Sequence, residues 1–255
     1  MPNRLSVAVP CTVVLALILS AAAPTLAAQG ARGEGVGAGG TFPYSSLYAS
    51  TGGTWVIVDE INGRLDKHGY YALSNDAIAF GGGLRIGYGR AILGVEYTAA
   101  DHGEEGNPNN GRTVDVKHNT ALLQAGYAFY AGRHLNAFAM LGAGVNHVTL
   151  FVGDRSSTRK LPAAVEPTFE EVLQDPGPSA SLRGLNLTFE PAVGMDWLVL
   201  RSVGDRFGLT LGARLGQRTA PNRTTWQLDG EKVVGGPSLK PTGKYFRVTA
   251  GIGWR

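Results

Sequence analysis

Cysteine is almost absent from this chain. The single cysteine among 255 residues, Cys11, follows Pro10 inside the N-terminal apolar stretch. The remainder therefore has no disulfide, no cysteine-based zinc site and no thiol nucleophile. Long apolar runs are also missing. Beyond the N-terminus no stretch approaches the roughly 20 apolar residues that a membrane-crossing helix needs. Charge is sparse, at 17% of residues, and the formal net charge is only +3. No basic cluster stands out, so a nucleic-acid partner is not expected. No His, Asp or Glu grouping has zinc or calcium spacing. The acidic stretch Asp101-His102-Gly103-Glu104-Glu105 reads as a solvated loop. Runs such as Gly81-Gly82-Gly83 open no helix and are not nucleotide loops. No metal and no cofactor is expected.

Glycine, by contrast, is abundant, at 37 residues. Arg4, the short apolar run Thr12–Leu19 and the small residues up to Ala27 and Ala28 form a secretory signal peptide over residues 1–28. Gln29–Gly53 is rich in Gly, Ala and Ser without a sustained period, and is predicted to be a flexible periplasmic lead-in. Residues 54–255 fit one domain.

That domain alternates with a period of two. In Lys244–Arg255 one parity holds Phe246, Val248, Ala250, Ile252 and Trp254, and the other Tyr245, Arg247, Thr249, Gly251 and Gly253. Such a period means a strand with one apolar and one polar face. The pattern recurs in Phe207–Arg218, Leu185–Val199, Leu135–Leu150, Val116–Tyr130, Ala91–Ala100 and Ala77–Tyr88. A first strand is placed over Thr54–Asn62, and Pro191 predicts a local bulge. Eight strands result. Short turns near Gly89–Arg90, Gly132–Arg133 and Ser202–Asp205 alternate with long polar loops at Gly63–Asp76, Asp101–Asp115, Gly153–Arg183 and Ala220–Gly243. Transmembrane barrels are built this way, with short turns on the periplasmic side and long loops outside. A soluble barrel of the lipocalin type would expose its polar face. Here that face is mostly Gly, Thr and Asn, which suits a cramped interior better than a solvated surface.

On this strand pattern, and on the closing run Gly251-Ile252-Gly253-Trp254-Arg255, the chain resembles the small OmpA/OmpX-like outer-membrane β-barrel family. The closing run is similar to that family's C-terminal assembly signal, carried here by Gly251 and Trp254, although the usual final aromatic is absent. The resemblance implies an all-β, eight-stranded antiparallel up-and-down transmembrane barrel with a filled polar lumen, in the cell outer membrane of a Gram-negative-type envelope. It implies outer-membrane lipids, lipopolysaccharide and the barrel-assembly machinery as partners, with an extracellular ligand or host surface met by the outer loops. A small gated porin-like channel is the alternative.

Six charged residues fall on the inward parity: Arg85, Glu96, Glu190, Asp196, Arg214 and Arg247. Hairpin register predicts Arg85 opposite Glu96 and Glu190 opposite Arg214. Arg247 is expected at a similar height, beside Asp59 or Glu60 of the first strand. Charges in so narrow an interior must be paired. For chemistry the chain offers His68, His102, His118, His134 and His147. Outer-membrane lipid A deacylases and palmitoyltransferases, which resemble this chain in size and strand count, use a histidine with a serine and a carboxylate. His118 and His147, with Asp115, Asp154, Ser156 and Ser157, are the nearest set here. No nucleophile–base–orienter constellation is visible, so no enzyme is expected. In the longest loop, Thr168-Phe169-Glu170-Glu171 is a capping box that predicts a short helix over Phe169–Gln174.

Overall fold

In the computed structural model, residues 45–132, 134–158, 167–201, 207–239 and 242–254 are described. The signal peptide, the first part of the lead-in, the Ser202–Asp205 turn and Arg255 lie outside them.

The strands are β1 (Ser45–Trp55), β2 (Asp76–Tyr88), β3 (Ala91–Asp101), β4 (Glu105–Gly106), β5 (Arg112–Ala131), β6 (Leu135–Asp154), β7 (Ala180–Arg201), β8 (Phe207–Arg218), β9 (Thr225–Leu228), β10 (Glu231–Val233) and β11 (Gly243–Trp254). Among the described residues two helices join them, α1 (Asp59–Lys67) and α2 (Phe169–Gln174). Strands β1, β2, β3, β5, β6, β7, β8 and β11 pair antiparallel in succession. The last pairs with the first, from Ser45 opposite Trp254 to Thr54 opposite Tyr245, so the sheet closes into an eight-stranded up-and-down barrel.

Side chains sort onto the faces that alternation requires. Phe80, Leu93, Leu123, Leu141, Val193, Leu215 and Phe246 stand on the outside, exposed. Thr98, Gln124, Thr188, Thr210 and Thr249 point inward and are buried. Glycines on the inner face give the larger lumen residues room. A Cβ on Gly83 would collide with the Tyr48 ring, and one on Gly216 with the Tyr245 ring. No helix among the described residues is long and apolar enough to cross a membrane.

Two expectations are corrected. The first strand is Ser45–Trp55, so the barrel begins within the segment read as a lead-in, and most of Thr54–Asn62 is not strand. The misplaced stretch carries helical signals instead. Ile61 and Leu65, four apart, are buried on one face, Asp59 and Glu60 sit in the first turn, and Arg64 and Lys67 in the last. This charge order complements the helix dipole. Second, Pro191 makes no bulge against β6, where it pairs in register with Leu141. On the β8 side the ladder stops at Ala192 opposite Gly216, with one further bridge at Phe189 and Thr219. Proline has no N–H to donate there. The register shifts lie elsewhere, at Ala128/Tyr130 and Leu198/Leu200.

The barrel is uneven. β5, β6 and β7 run 20, 20 and 22 residues, against 11 or 12 for β1, β8 and β11. At one end of the barrel, the long loops fold into a cap with its own apolar core. Ile61 and Leu65 of α1 and Phe169, Val172 and Leu173 of α2 join Val116, Leu150 and Leu182 of the tall strands and Trp226 of β9. Phe169 and Trp226 meet at 5.6 Å between ring centroids. The capping box at Thr168 forms as its residues predict: the Glu171 N–H donates to the Thr168 hydroxyl at 3.2 Å, and the Thr168 N–H donates to the Glu171 carboxylate at 2.8 Å.

Candidate functional site

The six inward charges are all buried, and the barrel brings them into one network. Its register differs from the expected one. Arg85 lies opposite Gly94, not Glu96, and reaches across the lumen to Asp196, 2.6 Å from Nη1 to Oδ2. Glu190 does not meet Arg214, which lies opposite Gly194. Glu190 instead accepts from Arg218 Nη2 at 2.8 Å and Arg247 Nη1 at 3.0 Å. Arg214 and Arg247, opposite each other in β8 and β11, both donate to Glu96. Glu96 also accepts from the Tyr48 hydroxyl at 2.7 Å and from Gln124 at 3.1 Å. Asp59 and Glu60 take no part, being exposed on α1.

Sequence reasoning missed two members of this network. Arg218 ends β8 on the same parity as Arg214, a signal that was present. Tyr48 belongs to the strand placed too late. Its ring lies between two guanidiniums, 4.4 Å from Arg85 and 4.6 Å from Arg214. A ring face attracts a cation, most strongly where water is absent. Tyr245 does the same for Arg247 at 4.1 Å. Four guanidiniums thus share three carboxylates and the rings of Tyr48, Phe138 and Tyr245, and each carboxylate accepts more than one hydrogen bond. Paired charges with saturated acceptors are the form in which ions persist in a low-dielectric interior.

Between this layer and the cap core lies a buried polar seam. Asn146 donates to Thr120 at 2.6 Å, and Thr224 donates to Asn186 at 3.0 Å. His118 is buried beside it, with the His102 ring 5.2 Å away. His102 holds Ser74 O through Nδ1 at 2.8 Å, and burial keeps its imidazole below the ordinary histidine range. The histidines do not assemble a hydrolytic site. His147 faces outward while His118 faces in, His134 is exposed at a short turn, and His68 ends α1. Ser156 pairs with Asp154, and among the described residues no histidine is hydrogen-bonded to a serine side chain. No group of three or more His, Cys, Asp or Glu among the described residues is placed to hold a metal ion.

The cap is pinned by charge as well as by packing. Glu170 of α2 accepts from Arg64 of α1 at 2.7 Å and contacts Nε2 of His68, the residue that caps α1, at 2.6 Å. The His68 hydrogen bond, followed by the Arg64 contact, holds the Glu170 carboxyl below its usual range. Arg112 of β5 donates to Leu173 O at 3.2 Å and Gln174 O at 2.9 Å, satisfying carbonyls at the end of α2. Burial pushes the Tyr70 hydroxyl up to about 12, and it donates to Leu173 O at 3.1 Å.

No protein-family model and no curated protein matches the chain. Several solved structures are similar to it. One is Ail, the attachment invasion locus protein of Yersinia pestis, in complex with the heparin analogue sucrose octasulfate. It is 12% identical over 82% of this chain and 96% of that one, with a TM-score of 0.43. Neisserial surface protein A is 11% identical over 84% and 97%, with a TM-score of 0.40. The N-terminal β-barrel domain of Pseudomonas aeruginosa OprF is 12% identical over 83% and 97%, with a TM-score of 0.34.

Proposed function

We propose that this chain is an integral outer-membrane barrel, closed to solute flow, that presents a rigid outer cap for surface interaction. The observation that carries this is the inverted polarity of the barrel. Phe80, Leu123, Val193 and Leu215 are each more than half exposed, while Arg214 and Arg247 are at most 2% exposed. In water so large an apolar surface would aggregate, whereas against lipid tails it is the matching solvent. Outer-membrane lipids and lipopolysaccharide are the partners of that belt. Gly251 and Trp254, on the strand that closes onto Ser45, are the residues the assembly machinery would read. An extracellular ligand or host surface is the partner of the cap, since a rigid scaffold carrying shaped loops is where binding develops.

Closure rests on the lumen network. A porin-like path would have to part Arg214 and Arg247 from Glu96, and Arg247 from Glu190. The test is conductance of the purified protein in planar bilayers. No steady channel steps are expected from the wild type. Sustained steps would overturn the closed reading and make the porin-like alternative the better one.

A further inference from the structure

One cavity is used neither by the lumen network nor by the apolar core of the cap. It has a volume of about 610 Å³ and opens among α1, the segment after β8 and the segment before β11. That size is within the range of small-molecule sites. Its walls include Glu60, Arg64, Arg223, Gly235, Ser238 and Thr242.

The wall is held in place before any ligand arrives. Arg64 donates to Gly235 O at 2.9 Å, and the Trp226 indole N–H donates to Pro237 O at 2.7 Å. The Leu239 N–H donates to the same Pro237 carbonyl at 3.1 Å. Trp226 packs so closely under Gly236 that a side chain there would strike the indole. The segment from Gly235 to Leu239 is therefore tied to the cap core, and Arg64 is oriented by Glu170 as well.

The polar groups facing this space are only partly used. Arg223 is exposed and forms no ion pair among the described residues. Glu60, one helical turn before Arg64 and on the same face, is not bonded to it; Arg64 turns to Glu170 instead. The Ser238 hydroxyl is buried with no hydrogen-bond partner among the described residues. Unpaired cation and unpaired carboxylate thus line one preformed cleft.

We infer that this cleft binds a sugar-sized, polyhydroxylated ligand carrying one carboxylate or phosphate group. Arg223 receives the oxyanion, and the exposed Glu60 carboxylate accepts from ring hydroxyls. Guanidinium suits both oxyanions because its N–H groups match their geometry. The inference rests on the surface reading above only for where such a ligand comes from.

The experiment titrates glucuronate, glucose 6-phosphate and glucose into the full-length protein in detergent micelles, followed by calorimetry. Both acidic sugars are expected to bind, more weakly as sodium chloride rises, and glucose at least tenfold more weakly. Arg223→Ala should weaken the acidic sugars about tenfold or more, the loss of a charge-assisted hydrogen bond. Equal binding of glucose and glucuronate, no binding of any of the three, or an Arg223→Ala variant that binds as wild type would overturn the proposal. Repeating the titration with lipopolysaccharide in the micelle separates sources: competition indicates a membrane-borne sugar, and its absence a soluble one. Binding is read without a bilayer, so failure here leaves the membrane reading intact, and the reverse holds too.

Discussion

At the scale of single residues, Glu96 is the hinge of the lumen network. It receives Tyr48, Gln124, Arg214 and Arg247. Glu96→Ala would leave two guanidiniums, both nearly inaccessible, without their shared carboxylate. Breaking a buried pair from one side typically costs about 3–5 kcal/mol. The refolded variant is expected to unfold at clearly lower urea than wild type. Unchanged midpoints would mean that the network contributes nothing net. Glu190→Ala should behave similarly by stranding Arg218, whose two contacts to Glu190 are 3.0 and 2.8 Å, rather than Arg214. A double-mutant cycle between Glu190 and Arg218 should therefore show coupling, and one between Glu190 and Arg214 much less.

At the scale of elements, α1 and α2 are joined through Glu170. Its carboxyl has a folded pKa below the ordinary value. The stabilisation is then fully present above the unfolded carboxylate pKa and fades as pH falls through the lower folded one. The pair is half exposed, so its effect is about 0.5 kcal/mol. Amide-exchange protection of Ile61 and Leu65, corrected for intrinsic rates, should drop below about pH 4 in the wild type. Glu170→Gln should show reduced protection at neutral pH and a flatter acid dependence. An identical acid profile in the variant would show that another group governs the cap.

For the whole molecule, the closed ladder from β1 round to β11 predicts a detergent-resistant barrel. Protein from outer-membrane fractions should migrate differently on gels before and after boiling. Identical migration, with the protein in the soluble periplasmic fraction, would mean the apolar face is not met by lipid. A soluble ligand carrier would then become the better description. The uneven strand lengths add a second expectation at this scale. Trp226 anchors the cap through Phe169 and Pro237 O. Trp226→Ala, a loss of about 3–5 kcal/mol of core packing, should loosen the cap to proteolysis while leaving the gel shift in place.

Period-two alternation is a local property, written wherever side chains of opposite preference follow one another. Seven of the eight barrel strands, their inward charges, the turn at Gly89–Arg90 and the helix at Phe169–Gln174 could therefore be read from the chain itself. The first strand was harder, because Leu47, Ala49, Thr51 and Gly53 make a weak apolar face, while Trp55-Val56-Ile57-Val58 beside it is greasier. Register is not local. It depends on turn geometry and on how eight strands stagger to close, and a shift of two residues keeps every face while changing every partner. That is why the residues of the lumen network were legible but Arg218 with Glu190, and Arg85 with Asp196, were not. The cap lay further out of reach, since its core gathers apolar residues from α1, β5, β6, α2, β7, β9 and β10 that only closure of the barrel brings together.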